Sequence, residues 1–221
     1  MTNQEILCRI DHTLLKAVSS WGEIKTLCDE AVQFKTASVC IPPSYIKRVY
    51  EEYGNNPPIA TVIGFPLGYN VSTVKAMETE IALKSGAAEI DMVINIGDVK
   101  NGNFDYVLAE IKLLKEVCGS KILKVIIETC YLTEDEKIRL CAIVTEAGAD
   151  YIKTSTGFGT AGATLADVTL FKKHIGPEVK IKAAGGVKTR DDLEAFITAG
   201  ADRIGTSSAV KLLSGGAAAG Y

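Results

Sequence analysis

The chain has 221 residues, of which 47% are hydrophobic and 23% charged, and these proportions exclude a disordered or fibrous protein. The net charge of -3 argues against a nucleic-acid partner, and no apolar run approaches the roughly 20 residues of a membrane span. Scattered cysteines without a C-x-x-C pair, and a start without a signal-peptide pattern, predict a cytoplasmic protein with reduced thiols.

Short β-branched runs alternate with amphipathic segments along the chain. The predicted strands are at 9–10, 37–41, 59–63, 88–94, 122–127, 151–153, 179–183 and 203–205. The predicted helices are at 22–34, 45–53, 72–85, 104–117, 134–147, 165–174, 191–199 and 208–213. This alternation predicts the α/β class, and eight such units favour a single (β/α)8 TIM barrel with a short N-terminal helix. We expect residues 1–221 to form one domain with a flexible tail at 214–221.

Local signals support these boundaries. Ser72 and Thr133 are predicted N-caps, and Glu136, three residues after Thr133, completes a capping box. The recurring phrases Ser85-Gly86-Ala87, Ala147-Gly148-Ala149 and Ala199-Gly200-Ala201 place a glycine where a helix stops, which is typical of a C-cap.

Polar residues at the carboxyl ends of barrel strands are the candidates for function. Asp11 follows the first strand and is either a carboxylate of the pocket or an N-cap. Cys40 ends the second strand, where a packed core thiol is the alternative to a substrate contact. Asp91 interrupts the apolar fourth strand, where a carboxylate is costly unless it is paired, so it is either functional or a tie between strands.

Two lysines end neighbouring strands. Lys153 ends the sixth strand and Lys182 the seventh, so their amines are expected to meet in a barrel. The alternative for Lys153 is an ordinary ion-pair lysine, and the alternative for Lys182 is a phosphate-neutralising or surface lysine. Two ammonium groups in one buried pocket repel, and the amine that loses its proton becomes a nucleophile for Schiff-base chemistry. Asp91 can then pass protons between lysine, water and substrate. The side chains of Lys180 and Lys182 are expected to point to the same face of the sheet, but Lys180 lies farther from the carboxyl end of the strand.

The last two strands lead into candidate phosphate loops. Gly185 and Gly186 follow the seventh strand, and Ser207 and Ser208 follow the eighth. Barrels often build a phosphate site from these two loops, because glycines let backbone N–H groups approach an anion. Tight turns without a ligand are the alternative.

The sequence offers no cofactor signature. The two histidines show no metal-ligand spacing, and no P-loop is present. The G-x-G-x-x-G match at 157–162 lacks the surrounding βαβ context of a dinucleotide site. We therefore expect neither a metal nor a cofactor.

Phrases along almost the whole chain resemble the deoxyribose-phosphate aldolase family of class I aldolases. They are Ile10-Asp11-His-Thr13-Leu-Leu-Lys16, Val39-Cys40-Ile41, Glu89-Ile-Asp91-Met-Val, Lys153-Thr-Ser-Thr-Gly157, Lys182-Ala-Ala-Gly-Gly-Val-Lys-Thr189 and Gly205-Thr-Ser-Ser208. The resemblance implies a (β/α)8 barrel that reversibly cleaves 2-deoxy-D-ribose 5-phosphate into acetaldehyde and D-glyceraldehyde 3-phosphate, a lyase of carbohydrate degradation and deoxynucleoside catabolism.

The resemblance also implies roles for particular residues. Lys153 would form the Schiff base, Lys182 would perturb it and handle protons, and Asp91 would complete the relay with support from Asp11. The remaining candidates contact substrate or phosphate: Gly185, Gly186, Ser207, Ser208, Thr154, Thr13 and Cys40. The terminal Tyr221 could deliver a proton to the enamine, with a frayed tail as the alternative. Phe158 stands where some members carry a lysine, so a cationic contact to the substrate is missing.

Two other functions stay open at this stage. A phosphosugar isomerase or epimerase on the same barrel would share the phosphate loops but form no imine. A non-catalytic phosphometabolite-binding barrel would bind ligand without turnover. The expected partners are small phosphorylated sugars and aldehydes, with no nucleic acid and no membrane, and the resemblance allows a homodimer.

Overall fold

A computed structural model describes residues 1–214 of the chain, and the remainder of the predicted flexible tail lies outside them. Eight parallel strands pair in chain order and close into a barrel, with β8 pairing back to β1. The strands are β1 (Ile10–Thr13), β2 (Ser38–Ile41), β3 (Ile59–Ile63), β4 (Glu89–Val93), β5 (Ile122–Ile126), β6 (Tyr151–Lys153), β7 (Lys180–Ala184) and β8 (Arg203–Thr206).

Helices lie before β1, between successive strands and after β8. They are α1 (Asn3–Leu7), α2 (Trp21–Phe34), α3 (Ile46–Tyr53), α4 (Ser72–Lys84), α5 (Ile96–Lys100), α6 (Phe104–Cys118), α7 (Glu134–Glu146), α8 (Leu165–His174), α9 (Arg190–Ala199) and α10 (Ala209–Leu213). The predicted (β/α)8 barrel with a short N-terminal helix is confirmed. Helix α5 was not predicted, since five residues give too little periodicity to detect.

The helix termini test the local predictions. Thr133 and Glu136 form the expected capping box at the start of α7. Gly86, Gly148 and Gly200 all have positive φ values just after helices, as the glycine C-cap prediction requires. The Ser72 prediction is wrong, because α4 begins at that residue and Val71 is its N-cap without a side-chain bond.

Alternation along the strands divides the buried residues between two faces of the sheet. The larger apolar cluster joins outward strand residues such as Ile90, Val125 and Ile181 to the helices. Inside the barrel, a small apolar cluster of Leu15, Cys40, Ala60 and Val62 lies against Phe65. The buried charged residues Asp11, Asp91 and Lys182 contact one another across this interior. No helix among residues 1–214 combines the length and apolar character needed to span a bilayer.

A buried ion pair outside the barrel supports the carboxyl end of β4. The Lys75 Nζ, on α4, lies 2.9 Å from Glu110 Oε2 on α6 and donates to the Val93 carbonyl at 2.8 Å. Both side chains are almost fully inaccessible to solvent. Burial lowers the pKa of Lys75 and raises the pKa of Glu110, so each group depends on the other to stay charged.

We expect Lys75→Met to lower the free energy of unfolding by about 3–5 kcal/mol, because Glu110 would be left buried without its cation. The double variant Lys75→Met, Glu110→Leu should recover most of that loss, since it removes both charges. Lys84→Met is the matched control, because its exposed partner Glu80 makes the pair worth less than about 1 kcal/mol. Urea unfolding measures all three, and equal losses in the single and double variants would contradict the account.

Candidate active site

The polar interior of the barrel is built from residues that face one another on adjacent strands. Asp91 on β4 lies opposite Lys124 on β5, and Lys153 on β6 lies opposite Lys182 on β7. All four side chains are almost fully buried. The barrel thus brings together the two lysines and the carboxylate that the sequence singled out.

The Asp91 carboxylate connects three lysines. Its Oδ2 lies 2.6 Å from the Nζ of Lys153 and 2.6 Å from the Nζ of Lys182. Its Oδ1 accepts a hydrogen bond from the Nζ of Lys124 at 2.8 Å. One carboxylate oxygen is therefore shared by two amines, which is the arrangement that a proton relay between them needs.

Asp11 is the second interior carboxylate. Its Oδ2 lies 2.5 Å from the Lys182 Nζ, and its Oδ1 accepts from the Ser38 hydroxyl at 2.8 Å and pairs with Arg203. The N-cap alternative for Asp11 is wrong, because the residue lies within β1, which runs three residues farther than the predicted strand. Its partners come from β2, β7 and β8, so only a closed barrel assembles them.

Three further members of this cluster were missed in the sequence: Lys124, Glu89 and Arg203. Glu89 lies 2.5 Å from the Lys124 Nζ and 3.4 Å from Arg203. Lys124 carried a usable signal, since it interrupts an apolar strand as Asp91 does. Glu89 and Arg203 begin their strands, where charged residues are usually solvated, and gave no signal of their own.

The charges of the cluster do not balance when every group is ionised. It holds four cations, Lys124, Lys153, Lys182 and Arg203, and three carboxylates, Asp11, Glu89 and Asp91. Loss of one proton from one lysine would leave three charges of each sign. Because unpaired buried charge is costly, the interior favours one neutral amine.

The number of carboxylates around each lysine decides which amine is the neutral one. Within the described chain, Lys124 lies near three carboxylates and Lys182 near two, whereas Lys153 contacts Asp91 alone. Burial lowers the pKa of Lys153, Asp91 raises it in part, and the Lys182 charge lowers it again, for a net decrease. Burial also opposes the charge of Lys182, but Asp11 and Asp91 outweigh burial and hold its pKa above the ordinary value.

The pKa values of the two aspartate carboxyl groups are both lowered by the neighbouring lysines. Burial alone would raise the pKa of Asp91, but Lys124, Lys153 and Lys182 outweigh it and hold that pKa well below the usual range. Lys124 and Lys182 do the same for the pKa of Asp11.

Of the two lysines predicted from the sequence, Lys153 is therefore the one whose pKa is lowered. Burial is the main cause, and the charge of Lys182 is a lesser one.

The predicted substrate contacts occupy varied environments. The Cys40 thiol packs in the small apolar cluster inside the barrel, and burial raises its pKa, which fits the core-thiol alternative. The Thr13 hydroxyl donates to the Asp11 carbonyl at 2.7 Å. The Thr154 hydroxyl accepts from the Ala184 N–H at 3.1 Å and so ties the end of β6 to the end of β7. Direct substrate contact by these residues stays a prediction.

The candidate phosphate loops leave neighbouring strands at the same end of the barrel. Gly185 and Gly186 both have positive φ, and the first of them packs on Gly162 of the preceding loop. Ser207 is partly exposed and Ser208 is buried, with its N–H donating to the Thr206 hydroxyl at 3.1 Å. The loops are thus adjacent, while phosphate binding itself stays a prediction.

Other predicted features lie away from the interior cluster or outside the structure. Tyr221 is beyond residue 214, so its proposed proton transfer stays a prediction. His12 is hydrogen-bonded to Glu30 at 2.7 Å. Lys180 is exposed and lies over the Tyr151 ring. Within residues 1–214, no group of His, Cys, Asp and Glu side chains is arranged to hold a metal.

Comparison with known proteins gives a consistent result. The family model described as DeoC/LacD family aldolase matches residues 6–220. The chain is 64% identical over 221 residues to a deoxyribose-phosphate aldolase of Clostridium botulinum, covering 100% of both chains. It is 58% identical over 210 residues to a deoxyribose-phosphate aldolase of Clostridioides difficile, covering 95% of this chain and 96% of the relative.

A solved structure agrees with these sequences. The deoxyribose phosphate aldolase of Aeropyrum pernix, described as tetrameric, superposes with a TM-score of 0.88 at 30% sequence identity. The superposition covers 96% of this chain and 91% of that one. The likeness therefore extends over the whole barrel.

The cluster predicts a pH dependence of stability. Asp11 and Asp91 have pKa values below those of the unfolded chain, so their contribution is present above about pH 4 and is lost as pH falls below it. We expect Asp11→Asn to be less stable than the parent at pH 7 but to lose about 1 kcal/mol less between pH 5 and pH 3.

Urea midpoints at each pH measure this difference. The exposed Glu116→Gln is the matched control and should follow the parent at every pH. A parallel decline of Asp11→Asn and parent would show that Asp11 is not held ionised by its cations.

Proposed function

The chain belongs to the DeoC/LacD aldolase family, and we propose that it reversibly cleaves 2-deoxy-D-ribose 5-phosphate into acetaldehyde and D-glyceraldehyde 3-phosphate through a Schiff base on Lys153. The observation that carries this proposal is the Asp91 oxygen shared by Lys153 and Lys182 at 2.6 Å each. It joins an amine with a lowered pKa to one that stays protonated.

The reaction would begin with the neutral amine of Lys153. The amine attacks C1 of the open-chain sugar, and the resulting carbinolamine loses water to give an iminium ion. Lys182 supplies the proton that makes the hydroxyl leave as water, so Lys182 becomes neutral while the iminium nitrogen carries the positive charge, and Asp91 beside both nitrogens stabilises that charge. No proton has to enter from solvent for this step, because Lys182 and Asp91 are both already buried in the cluster.

The iminium ion then acts as the electron sink for carbon–carbon cleavage. The neutral amine of Lys182 takes the proton of the C3 hydroxyl, directly or through water, the C2–C3 bond breaks, and its electron pair forms the enamine on Lys153. Lys182 is then protonated again and can supply the proton that the enamine needs at C2. C3 becomes the aldehyde carbon of D-glyceraldehyde 3-phosphate. Protonation of the enamine at C2 and hydrolysis of the imine release acetaldehyde and restore the amine.

The phosphate of the substrate would lie at the ends of β7 and β8. Gly185 and Gly186 have no side chains to block the approach of an anion to their backbone N–H groups. Ser207 and Ser208 border the same end of the barrel. The arrangement would place the phosphate at these loops and the aldehyde carbon of the sugar deeper in the barrel, beside the amines of Lys153 and Lys182.

The mouth of the barrel also shows what this chain lacks. Phe158 is half exposed and packs edge-on against Phe65, with ring centroids 5.3 Å apart. An aromatic ring here provides no ammonium group for the phosphate, so the glycine loops would carry more of that binding. The homodimer and the cytoplasmic location stay predictions.

The alternatives are less well supported by the interior cluster. An isomerase or epimerase needs an acid–base pair but gives no reason for a lysine whose pKa is lowered beside a second, protonated lysine. A binding barrel gives no reason for a neutral amine at all. Both alternatives predict that no imine forms.

Trapping with borohydride tests the proposed intermediate. Incubation with acetaldehyde and sodium borohydride should give one reduced adduct, which peptide mass spectrometry locates on Lys153. Lys153→Met should give no adduct there and lower kcat for deoxyribose 5-phosphate cleavage by at least about 10⁴-fold. Turnover by the parent without an adduct would favour the isomerase, and ligand binding without turnover would favour the binding barrel.

The pH profile of trapping tests the influence of Lys182. Lys182→Met removes a cation that lowers the pKa of Lys153, so the rise in trapping rate with pH should move to higher pH. Lys180→Met is the matched control, because it removes an exposed lysine from the same strand and should leave the profile unchanged. A profile that moves to lower pH would show that Lys182 does not act on Lys153 as a nearby charge.

A further inference from the structure

Glu128 is a buried carboxylate with an unusual backbone conformation. It follows β5, at the end of the barrel where Lys153 lies, and the residue is only 2% exposed. Its φ of 53° and ψ of 69° place it in the left-handed region, which is unfavourable for a residue with a long side chain. Such an outlier persists only where the surroundings enforce it, and these places are often functional sites.

The carboxylate of Glu128 is directed at one residue of the loop after β6. The Thr156 N–H donates to Glu128 Oε1 at 3.2 Å, and the Thr156 hydroxyl donates to Oε2. That hydroxyl in turn accepts from the Phe158 N–H at 3.0 Å. The carboxylate thus fixes both the backbone and the side chain at the third position after Lys153.

The backbone around Glu128 supports the same loop. The Ile127 N–H donates to the Lys153 carbonyl at 3.1 Å, and the Thr129 N–H donates to the Thr154 carbonyl at 2.9 Å. Glu128 lies between these two bonds, and its left-handed conformation directs the side chain onward to Thr156. Ile127, Glu128 and Thr129 therefore all bond the segment that carries Lys153.

The loop also connects the reactive lysine with the candidate phosphate loop. Gly159 packs so closely on the Glu128 carboxyl group that an added Cβ would lie 3.0 Å from its Cδ. Farther along, Gly162 contacts Gly185, where an added Cβ on the latter would lie 3.1 Å from the Gly162 Cα. The loop that contains Thr156 therefore contacts both the Glu128 carboxyl group and the candidate phosphate loop.

We propose that Glu128 is a positioning residue that holds the Lys153 loop through Thr156 and thereby keeps the amine in its reactive position. The proposal rests on the proposed function, since it assumes that Lys153 forms the imine. The Glu128 carboxylate bonds Thr156 and, among the described residues, forms no ion pair with Lys153. Its effect is on geometry, and a misplacement of about 1 Å in a catalytic group can lower a rate by on the order of 100-fold.

Glu128→Asn separates this role from backbone strain. Asparagine tolerates the left-handed conformation better than glutamate does, but its shorter side chain cannot reach Thr156. The backbone should therefore stay in place while the contact is lost. We expect the rate of borohydride trapping with acetaldehyde to fall by about 10–100-fold, and kcat for the phosphorylated sugar to fall by more than KM rises.

Thr156 provides an independent pair of variants. Thr156→Val keeps the shape of the side chain but loses the hydroxyl that bonds Glu128, and it should slow trapping by a similar factor. Thr156→Ser restores the hydroxyl and should trap within about threefold of the parent. Thr145→Val is the matched control, because its hydroxyl accepts from the Gly176 N–H at the far end of the barrel. It should leave trapping unchanged.

The outcomes distinguish this proposal from the function on which it rests. Absence of an adduct in the parent would overturn the Schiff-base function. An adduct in the parent together with parental trapping rates in Glu128→Asn would overturn the positioning role alone. Equal rates in Thr156→Ser and Thr156→Val would also overturn it. Circular dichroism and urea midpoints establish that the compared variants are folded, and the Thr156 pair decides the question if Glu128→Asn does not fold.

Discussion

The Asp91 carboxylate, shared by two buried lysines, is the interaction on which the rest of the site depends. Removing a charge from water is expensive, so a buried lysine keeps its proton only where carboxylates surround it. Lys182 has two carboxylate partners and Lys153 has one. The difference in the number of partners, rather than any special chemistry of the side chain, leaves Lys153 as the amine with the lowered pKa. The same oxygen then gives the proton a direct path between the two amines.

The closed barrel is what allows this distribution of charge. Lys182 on β7 pairs with Asp11 on β1, although β8 lies between them. Gly205 on β8 makes the contact feasible, because an added Cβ there would lie 3.1 Å from the Lys182 Cε. A side chain at this position would push the lysine away from Asp11. The absence of a Cβ at Gly205 therefore helps to keep Lys182 beside Asp11 and protonated. The charge of Lys182 in turn helps to lower the pKa of Lys153.

The sequence predicted those parts of the fold and of the candidate site that leave a local pattern in the chain. The strands were found within a few residues, and Asp91, Lys153 and Lys182 stood out because a charge that interrupts an apolar run is costly. Lys124 gave the same signal, but its role depends on partners from other strands, whose register the sequence does not specify. Glu128 gave no signal, since its φ angle and its contact with Thr156 exist only in the folded chain.

The barrel also separates the apolar residues that stabilise the fold from the charged residues that face the candidate site. The main apolar core lies between the strands and the helices, where it can be packed without regard to the reaction. The interior can then hold the seven charged side chains of the ion-pair cluster and a left-handed glutamate beside them, each of which lowers stability unless it is compensated. Because side chains alternate along every strand, one residue can stabilise the core while its neighbour faces the pocket. A strand such as β4, with Ile90 outside and Asp91 inside, therefore serves both purposes at once.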